Sequence, residues 1–248
     1  MAASVQVKNL GFSYEKDKEV LNTINLNIQP GEKFGLIGPM GAGKSTLLLH
    51  LNGILSGSGR IFIGDTEVRK DTLATIRRRV GLVFQNPDDQ LFNPTVEEEV
   101  AFGPLNFGFT HDEVAYRVKE TLKAMRLTGL EKSMSHHLSM GERKRVALAT
   151  VLASDPEVIA FDEPFASLDP PMMSQFVELL KGLPATLIIV SQSILPLISC
   201  CDRVGILNNG TIVASGPVRE ILTNEELMRN NGLDLGFYSS MCRDFFGS

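Results

Sequence analysis

The chain has 248 residues, of which 43% are hydrophobic and 21% are charged, and its formal net charge is −5. This composition is typical of a folded globular protein and excludes the disordered and fibrous classes. The acidic balance and the lack of a long basic tract argue against nucleic acid as a partner, because duplex binding depends on phosphate neutralisation by Lys and Arg.

Cysteine usage and the start of the chain bear on the compartment. The cysteines Cys200, Cys201 and Cys242 show no metal-type spacing, so we expect no disulfide framework and a reducing compartment. The first residues, MAASVQVKNL, lack the layout of a signal peptide, and no window reaches the roughly 20 apolar residues of a membrane-spanning helix. We therefore expect a cytoplasmic chain whose role at a membrane depends on a partner.

In chain order, β-type runs alternate with helical ones. The runs VQVKNLGFSY, INLNI and RIFIGD predict an antiparallel sheet, whereas KFGLIG, RVGLVFQ, EVIAFDE and ATLIIVS are nearly continuous apolar runs. Such runs are typical of parallel strands that are buried on both faces. Near the end, Asn209 and Gly210 separate two strand-like runs and predict a two-residue hairpin turn. The pattern indicates an α/β fold.

The strand pattern stops between Gln85 and Leu138. Thr95, followed three residues later by Glu98, predicts a helix that starts with a capping box, and HDEVAYRVKETLKAMRL carries apolar residues at helical spacing. We interpret this region as a helical lobe inserted into a single domain. The predicted divisions are a core of residues 1–86 and 155–223, a helical lobe of residues 87–154, and a C-terminal tail of residues 224–248. The basic runs at 77–79 and 143–145 are interpreted as solvated helix faces.

The segment GPMGAGKST is the first with a chemical signature. From Gly38 to Ser45 it has the pattern glycine, four residues, glycine, lysine, serine, placed between a strand and a helix. Its glycines let backbone amides point at phosphate oxygens, and the helix N-terminus adds a partial positive charge. Lys44 is placed to reach the β- and γ-phosphates of a nucleotide, and Ser45 to hold Mg²⁺. The predicted nucleotide-binding residues here are Gly38, Pro39, Met40, Gly41, Ala42, Gly43, Lys44, Ser45 and Thr46.

A second element, VIAFDEP, ends a buried strand with two carboxylates. Asp162 and Glu163 are delivered to the sheet edge that also bears the phosphate loop, where ligands collect in open α/β sheets. We expect Asp162 to support Mg²⁺ and Glu163 to act as the general base on an attacking water. Two acids after a strand usually mark only a helix start, but the phosphate loop reverses that interpretation.

A third element, LSMGERKRVALAT, precedes the acidic strand end, and SLD follows that strand at Ser167 to Asp169. With GPMGAGKST and VIAFDEP, this order resembles the nucleotide-binding subunit of an ABC transporter. The resemblance covers nearly the whole chain. It implies a P-loop NTPase core of the ABC ATPase type, with an antiparallel β subdomain and an inserted α-helical subdomain.

The resemblance also implies roles for further residues. Tyr14 matches the aromatic residue that stacks on adenine, Gln85 matches the glutamine that contacts Mg²⁺ and water, and Asp169 matches the loop that crosses to a partner subunit. The Mg²⁺ ligands would then be Ser45, Gln85 and Asp162. The family's signature faces ATP bound by the other subunit, so a dimer is implied. The matching signature residues are Ser139, Met140, Gly141 and Glu142.

Three positions depart from the family's pattern. Met140 replaces a glycine and adds bulk near phosphate, and Glu142 replaces glutamine and adds negative charge, although it still completes a capping box with Ser139. Gln192 in IIVSQSIL replaces the histidine that contacts the γ-phosphate, and glutamine does not titrate. We expect ATP binding to persist and turnover to be reduced. A homodimer would combine all three departures in each site, whereas a heterodimer would divide them.

The stretch from Val80 to Gly108 narrows the resemblance to energy-coupling factor (ECF) transporters, most of all to the ATPases of cobalt and nickel import. That resemblance implies a transmembrane coupling protein, a membrane protein that captures the substrate, and a peripheral position on the cytoplasmic face of the membrane. Asp88 and Asp89 are hypothesised to receive an arginine of the coupling helices; the alternative is a solvated turn.

Three function classes follow from these observations. The first is an ATP-hydrolysing subunit of an ECF-type importer for cobalt or nickel, with a vitamin as the alternative cargo. The second is an ATP-binding subunit with impaired hydrolysis that regulates a heterodimer. The third, an ABC protein that acts on nucleic acid or ribosomes, is disfavoured by the single cassette and the net acidity.

Overall fold

The structure is a computed structural model that describes residues 1–15 and 18–233. Cys242 and residues 234–248 of the predicted tail lie outside the described residues. The strands are β1 (Val5–Glu15), β2 (Lys18–Ile28), β3 (Lys33–Ile37), β4 (Ser58–Ile63), β5 (Thr66–Glu67), β6 (Val80–Val83), β7 (Val158–Asp162), β8 (Thr186–Val190), β9 (Arg203–Asn208) and β10 (Thr211–Pro217). The helices are α1 (Lys44–Leu51), α2 (Leu73–Arg79), α3 (Val96–Asn106), α4 (His111–Ala124), α5 (Met140–Leu152), α6 (Pro170–Lys181), α7 (Ile194–Cys200), α8 (Val218–Leu222) and α9 (Glu225–Asn230).

The strands form two sheets. One is antiparallel with the order β2-β1-β4-β5, and the other has the order β10-β9-β3-β8-β7-β6, in which β9, β3, β8, β7 and β6 run parallel. Asn209 and Gly210 join β9 to β10 with φ values of 45° and 72°, as a two-residue turn with left-handed backbone requires. The predicted antiparallel edge, parallel core and terminal hairpin are confirmed.

The larger sheet is apolar on both faces, which explains its nearly continuous apolar strands. Ile159 and Phe161 of β7 pack into a core shared with α5, α6 and α7, while Val158 and Ala160 pack into a second core shared with α1 and the antiparallel sheet. All four side chains are fully buried. Because β7 is covered by helices on one face and by a helix and the antiparallel sheet on the other, its sequence does not alternate between polar and apolar residues.

Helices α3, α4 and α5 follow β6 and precede β7, and α3 packs against both of the others. Each begins with a capping box, at Thr95, Thr110 and Ser139 respectively. The boxes at Thr95 and Ser139 confirm the predicted helix starts. Within residues 1–15 and 18–233, no helix is both long enough and apolar enough to cross a membrane.

The interpretation of the two basic runs as solvated helix faces is confirmed for Arg77 and Arg78, which are exposed, but it is wrong for Arg79 and Lys144. Arg79 is largely buried and forms a bidentate ion pair with Glu157, with Nε and Nη2 at 2.8 and 2.9 Å from the carboxylate oxygens. Lys144, in the second run, is only 4% exposed. Both side chains are held by residues distant in sequence, so the local charge pattern does not reveal them.

Candidate functional site

A cleft of about 680 Å³ opens at the carboxyl ends of β3, β7 and β8, beneath the β1–β2 hairpin. Ligands of open α/β sheets bind at this edge. The structure thus brings the glycine-rich segment, both predicted carboxylates and Gln192 into one place. The predicted residues that line the cleft are Tyr14, Met40, Gly41, Ala42, Gly43, Lys44, Ser45, Thr46, Gln85, Asp162, Glu163 and Gln192.

The glycine-rich loop folds around the side chain of Lys44. Its Nζ donates hydrogen bonds to the carbonyl oxygens of Gly38 and Pro39 at 2.8 and 2.9 Å. These two predicted residues therefore hold the lysine and do not line the cleft. A Cβ at Gly38 would lie 2.0 Å from the carbonyl oxygen of Leu207, and Gly43 has a φ of 102° at the start of α1, so both glycines are required.

Lys44 itself is 7% exposed at the base of the cleft. Burial lowers the pKa of its ammonium, and the charges of Glu163 and Asp162 partly oppose that shift. Lys44 thus places a cation at the N-terminus of α1, beside a glycine-rich loop whose residues line the same cleft. The arrangement suits a polyphosphate, which needs positive charge and N–H donors together.

The two carboxylates stand at the end of β7 in different environments. Asp162 has a buried oxygen, Oδ1, that accepts no hydrogen bond within the described residues. Glu163 is 8% exposed, has a φ of 47°, and accepts the backbone N–H of Gln192 on Oε2 at 3.0 Å. Burial raises the pKa of Glu163, against the opposing effects of that N–H and of the nearby charges of Lys44 and Lys144.

A raised pKa suits the predicted role of Glu163 as a base, because a proton acceptor works best when its pKa approaches the working pH. The orphaned oxygen of Asp162 suits a cation ligand, because a buried carboxylate oxygen without a partner is costly. Ser45 and Gln85 add further oxygen donors at the same cleft. A hard divalent cation prefers such a set of oxygen ligands.

Gln192 lies between β8 and α7, and its exposed side chain faces the cleft. Its contact with Glu163 is made by the backbone N–H, so that contact does not depend on the side chain. The substitution of histidine by glutamine therefore leaves the anchoring of the base intact. It changes only what the side chain presents to a bound nucleotide.

Tyr14 is 59% exposed at the rim of the cleft. Its ring packs edge-on against Phe12, and its hydroxyl lies 3.3 Å from Oγ1 of Thr46. The exposed ring is available for stacking.

Four residues that line the cleft were not predicted from the sequence, because positions in a hairpin or at a strand end carry no motif of their own. They are Glu15, Lys18, Val20 and Val190.

The signature residues lie elsewhere in this chain. Ser139 and Gly141 line a second cleft of about 590 Å³, together with Arg145 and Met172, and none of the signature residues lines the first cleft. Asp169 caps α6 by accepting the N–H of Met172 on Oδ1 at 2.8 Å. One copy of the chain therefore does not bring its signature to its own glycine-rich loop.

The cap at the start of α5 holds the charge of Glu142 in place. Its Oε2 accepts the hydroxyl and the backbone N–H of Ser139 at 2.7 and 2.9 Å. These donors lower the pKa of Glu142. The carboxylate thus stays ionised at a helix end that the resemblance assigns to phosphate.

The turn after Gln85 is fastened to α5. Asp88 accepts a hydrogen bond from Nη1 of Arg143 on Oδ1 at 2.7 Å, whereas Asp89 is exposed. Gln90 donates to the carbonyl oxygen of Ala147 at 2.7 Å and to Oγ1 of Thr150 at 2.9 Å, and accepts the N–H of Phe84 at 3.1 Å. The turn that holds Asp88 is therefore not simply solvated, because Asp88 already has a cationic partner.

Lys144 is a site residue that the sequence did not reveal. Its Nζ donates to the carbonyl oxygen of Pro164 at 2.9 Å and lies 3.4 Å from that of Glu163. Helical spacing provides a signal that could have found it, since Lys144 lies one turn before the buried residues Ala147 and Leu148.

Comparisons with known proteins agree with this geometry. The sequence pattern of the ABC transporter family matches residues 21–166. The energy-coupling factor transporter ATP-binding protein EcfA of Methanocaldococcus jannaschii is 46% identical over 237 residues, which cover 93% of this chain and 85% of that protein. The structure of cbiO1 from Clostridium perfringens, described as part of the ABC transporter complex cbiONQ, is 35% identical, with a TM-score of 0.83 over 97% of this chain and 99% of that one.

A third similar protein is an ATP-binding cassette, MJ0796, whose structure is described as dimeric, in a post-hydrolysis state, bound to ADP and Pi. It is 27% identical, with a TM-score of 0.77 over 86% of this chain and 98% of that chain.

Proposed function

The chain belongs to the ABC transporter family and is an ATPase of that family, and we propose that it powers an ECF-type importer. One observation supports this function above all others. The cleft holds Lys44, Asp162 and Glu163 together, with the backbone of Gln192 anchoring the base. This placement supports the proposed roles of the predicted binding and catalytic residues in ATP hydrolysis.

In the proposed reaction, the loop amides and Lys44 bind the phosphates of ATP, and Tyr14 stacks on the adenine. Glu163 accepts a proton from water as the water oxygen attacks the γ-phosphorus. The bond from the γ-phosphorus to the bridging oxygen breaks, which releases ADP and phosphate. Glu163 then returns the proton to solvent.

Mg²⁺ is the proposed cofactor. Ser45, Gln85 and Asp162 would hold it, and when bound it would neutralise charge on the β- and γ-phosphates. The orphaned Oδ1 of Asp162 supports this assignment because a cation would give that oxygen the partner it lacks. The cation would also leave Glu163 free for its role as base.

The chain is proposed to act as a dimer with a second ABC ATPase. The separation of Ser139 and Gly141 from the cleft supports this, because a partner's signature must then complete each ATP site. The partner is either a second copy or an unlike ATPase. Met140, Glu142 and Gln192 favour the unlike partner, since a heterodimer divides these departures between two sites.

The proposed membrane partners are a transmembrane coupling protein and a protein that captures the substrate, with the ATPase peripheral on the cytoplasmic face. Residues 87–89, the docking turn, would receive the coupling helices within the helical lobe of residues 87–154. The exposed carboxylate of Asp89 would attract a partner arginine, and Asp88 would share its charge between that arginine and Arg143. Unchanged assembly and transport after Asp88→Ala combined with Asp89→Ala would contradict this role.

Cobalt or nickel is the proposed cargo, on the strength of the resemblance carried by the stretch from Val80 to Gly108. The test is ATPase stimulation by cobalt, nickel or a vitamin in a reconstituted complex with the membrane partners. Stimulation by a vitamin alone would replace the metal assignment.

The ATPase function is tested by turnover of the purified full chain, alone and with its membrane partners. Glu163→Gln should abolish turnover, because a neutral amide does not accept the proton. The matched control is Glu178→Gln, at an exposed site on α6. Equal rates for wild type and Glu163→Gln would refute hydrolysis by this chain and would favour the second candidate, a regulatory subunit that binds ATP without turnover.

A further inference from the structure

Lys144 is a cation at 4% exposure on the second turn of α5. Its side chain crosses from this helix to the turn that follows β7. There its Nζ lies 2.9 Å from the carbonyl oxygen of Pro164 and 3.4 Å from that of Glu163. A lysine of the signature helix therefore contacts the peptide that begins at the proposed general base.

A buried ammonium is destabilising unless acceptors surround it. Here burial lowers the pKa of Lys144 to about 8, even though the carboxylate of Glu163 opposes that shift. An apolar side chain would fill the same space without this penalty. The lysine thus stands at a position where its charge costs stability, which points to a role other than packing.

The backbone of Glu163 is left-handed, with a φ of 47°, a conformation that a residue with a side chain rarely adopts. Its N–H donates to the carbonyl oxygen of Val190 at 3.0 Å, and its own carbonyl accepts the N–H of Ala166 at 3.2 Å. Lys144 adds a contact to that carbonyl and to the next one along the chain. The strained peptide is thus held from β8, from its own turn and from α5.

We propose that Lys144 is a positioning residue for ATP hydrolysis, which fixes the Glu163–Pro164 peptide and thereby the carboxylate of Glu163. The inference rests on the proposed function, because Lys144 supports Glu163 and the role of Glu163 as general base is part of that function. Lys144 touches neither the water nor the nucleotide in this role. Its effect reaches the reaction through the placement of Glu163.

Helix α5 carries both the signature residues at its N-terminus and Lys144. The N-terminus of α5, at Ser139, lies about one helical turn before Lys144. In the proposed dimer that end faces the partner's nucleotide, while Lys144 holds the base of its own site. A shift of α5 at one ATP would therefore move the base at the other.

The test compares Lys144→Met with Lys181→Met, a matched loss of charge at a half-exposed position on α6. In Lys144→Met we expect kcat to fall about 10- to 100-fold, because small misplacements of a reacting group have effects of this size. The KM for ATP and the affinity for nucleotide should stay within about twofold of wild type, since the binding groups are untouched. Lys181→Met should match wild type in all of these.

A second measurement does not need turnover. The backbone N–H of Gln192 donates to the carboxylate of Glu163, so displacement of that carboxylate should break this hydrogen bond. Loss of one hydrogen bond should speed hydrogen exchange at the Gln192 amide by about tenfold. Lys144→Gln keeps an N–H donor and should show smaller changes than Lys144→Met. It also takes the place of Lys144→Met in both measurements if the methionine variant does not fold.

Unchanged kcat and unchanged Gln192 exchange in the Lys144 variants would overturn the proposal. A fall in kcat with matching losses of nucleotide affinity and Tm would also overturn it, because it would show a merely structural role. If wild type hydrolyses no ATP, the proposed function fails, and the Gln192 exchange still decides whether Lys144 positions Glu163.

Discussion

Gln192→His restores an imidazole where the ABC family's pattern has one. The backbone bond from residue 192 to Oε2 of Glu163, 3.0 Å long, is available to any residue with an N–H, so the base stays anchored. What would change is the hydrogen bond that the side chain of residue 192 offers to the γ-phosphate in the proposed site. A charge-assisted hydrogen bond contributes roughly 1.5 to 3 kcal/mol, against about 0.5 to 1.5 for a neutral one.

The difference of about 1 kcal/mol, or slightly more, predicts an acceleration of roughly tenfold at most. The gain over wild type should increase as the pH falls toward about 6.5, where an ordinary imidazole becomes charged.

The assay is steady-state ATP turnover of the purified chain between pH 6 and 8, with Gln192→Met as the control that removes the side-chain donor. The methionine variant should be slower than wild type, and Glu163→Gln should give the background rate of the assay. A histidine variant no faster than wild type at any of these pH values, with unchanged Tm, would refute the reasoning that the glutamine side chain limits the rate.

Two further predictions concern pH and stability. Glu163 must be deprotonated to act as the base, and burial raises its pKa. We therefore expect kcat to fall, as the pH is lowered, at a pH above the ordinary glutamate pKa of about 4.3. A fall of kcat only at or below that ordinary pKa would contradict this. Glu99 is 2% exposed and accepts hydrogen bonds from the backbone and the side chain of Asn93. Glu99→Ala should lower the free energy of unfolding by about 2 kcal/mol in urea denaturation, because it leaves the partly buried N–H groups of Asn93 without an acceptor. Glu97→Ala, which breaks only a surface ion pair with a lysine, should cost less than about 1 kcal/mol, and equal losses would contradict the assignment.

Local patterns predicted the parts of the fold whose causes are local. The turn at Asn209 and Gly210 follows from left-handed backbone preferences, and the capping boxes follow from side chains that contact their own helix. The glycine-rich loop is recognisable because its backbone needs glycine, as at Gly43, whose φ of 102° is left-handed. Each of these constraints acts over a few residues, and so it appears in the sequence.

The contacts that escaped prediction join residues far apart in the chain. Arg79 pairs with Glu157 across 78 positions, and Arg143 pairs with Asp88 across 55. A run of basic residues looks the same whether its partners are water or distant carboxylates. Lys144 was missed for the same reason, because the carbonyl oxygens that accept its hydrogen bonds belong to the turn after β7.

The attachment of the docking turn to α5 bears on how such ATPases could be re-engineered. Arg143 of α5 binds Asp88 of the turn, and Gln90, the residue that follows the turn, binds Ala147 and Thr150 of α5. A docking turn grafted from a related ATPase would lose these contacts unless positions in α5 were exchanged with it. Chimaeras designed to accept a different transmembrane protein should therefore transfer the turn and the helix as one cassette.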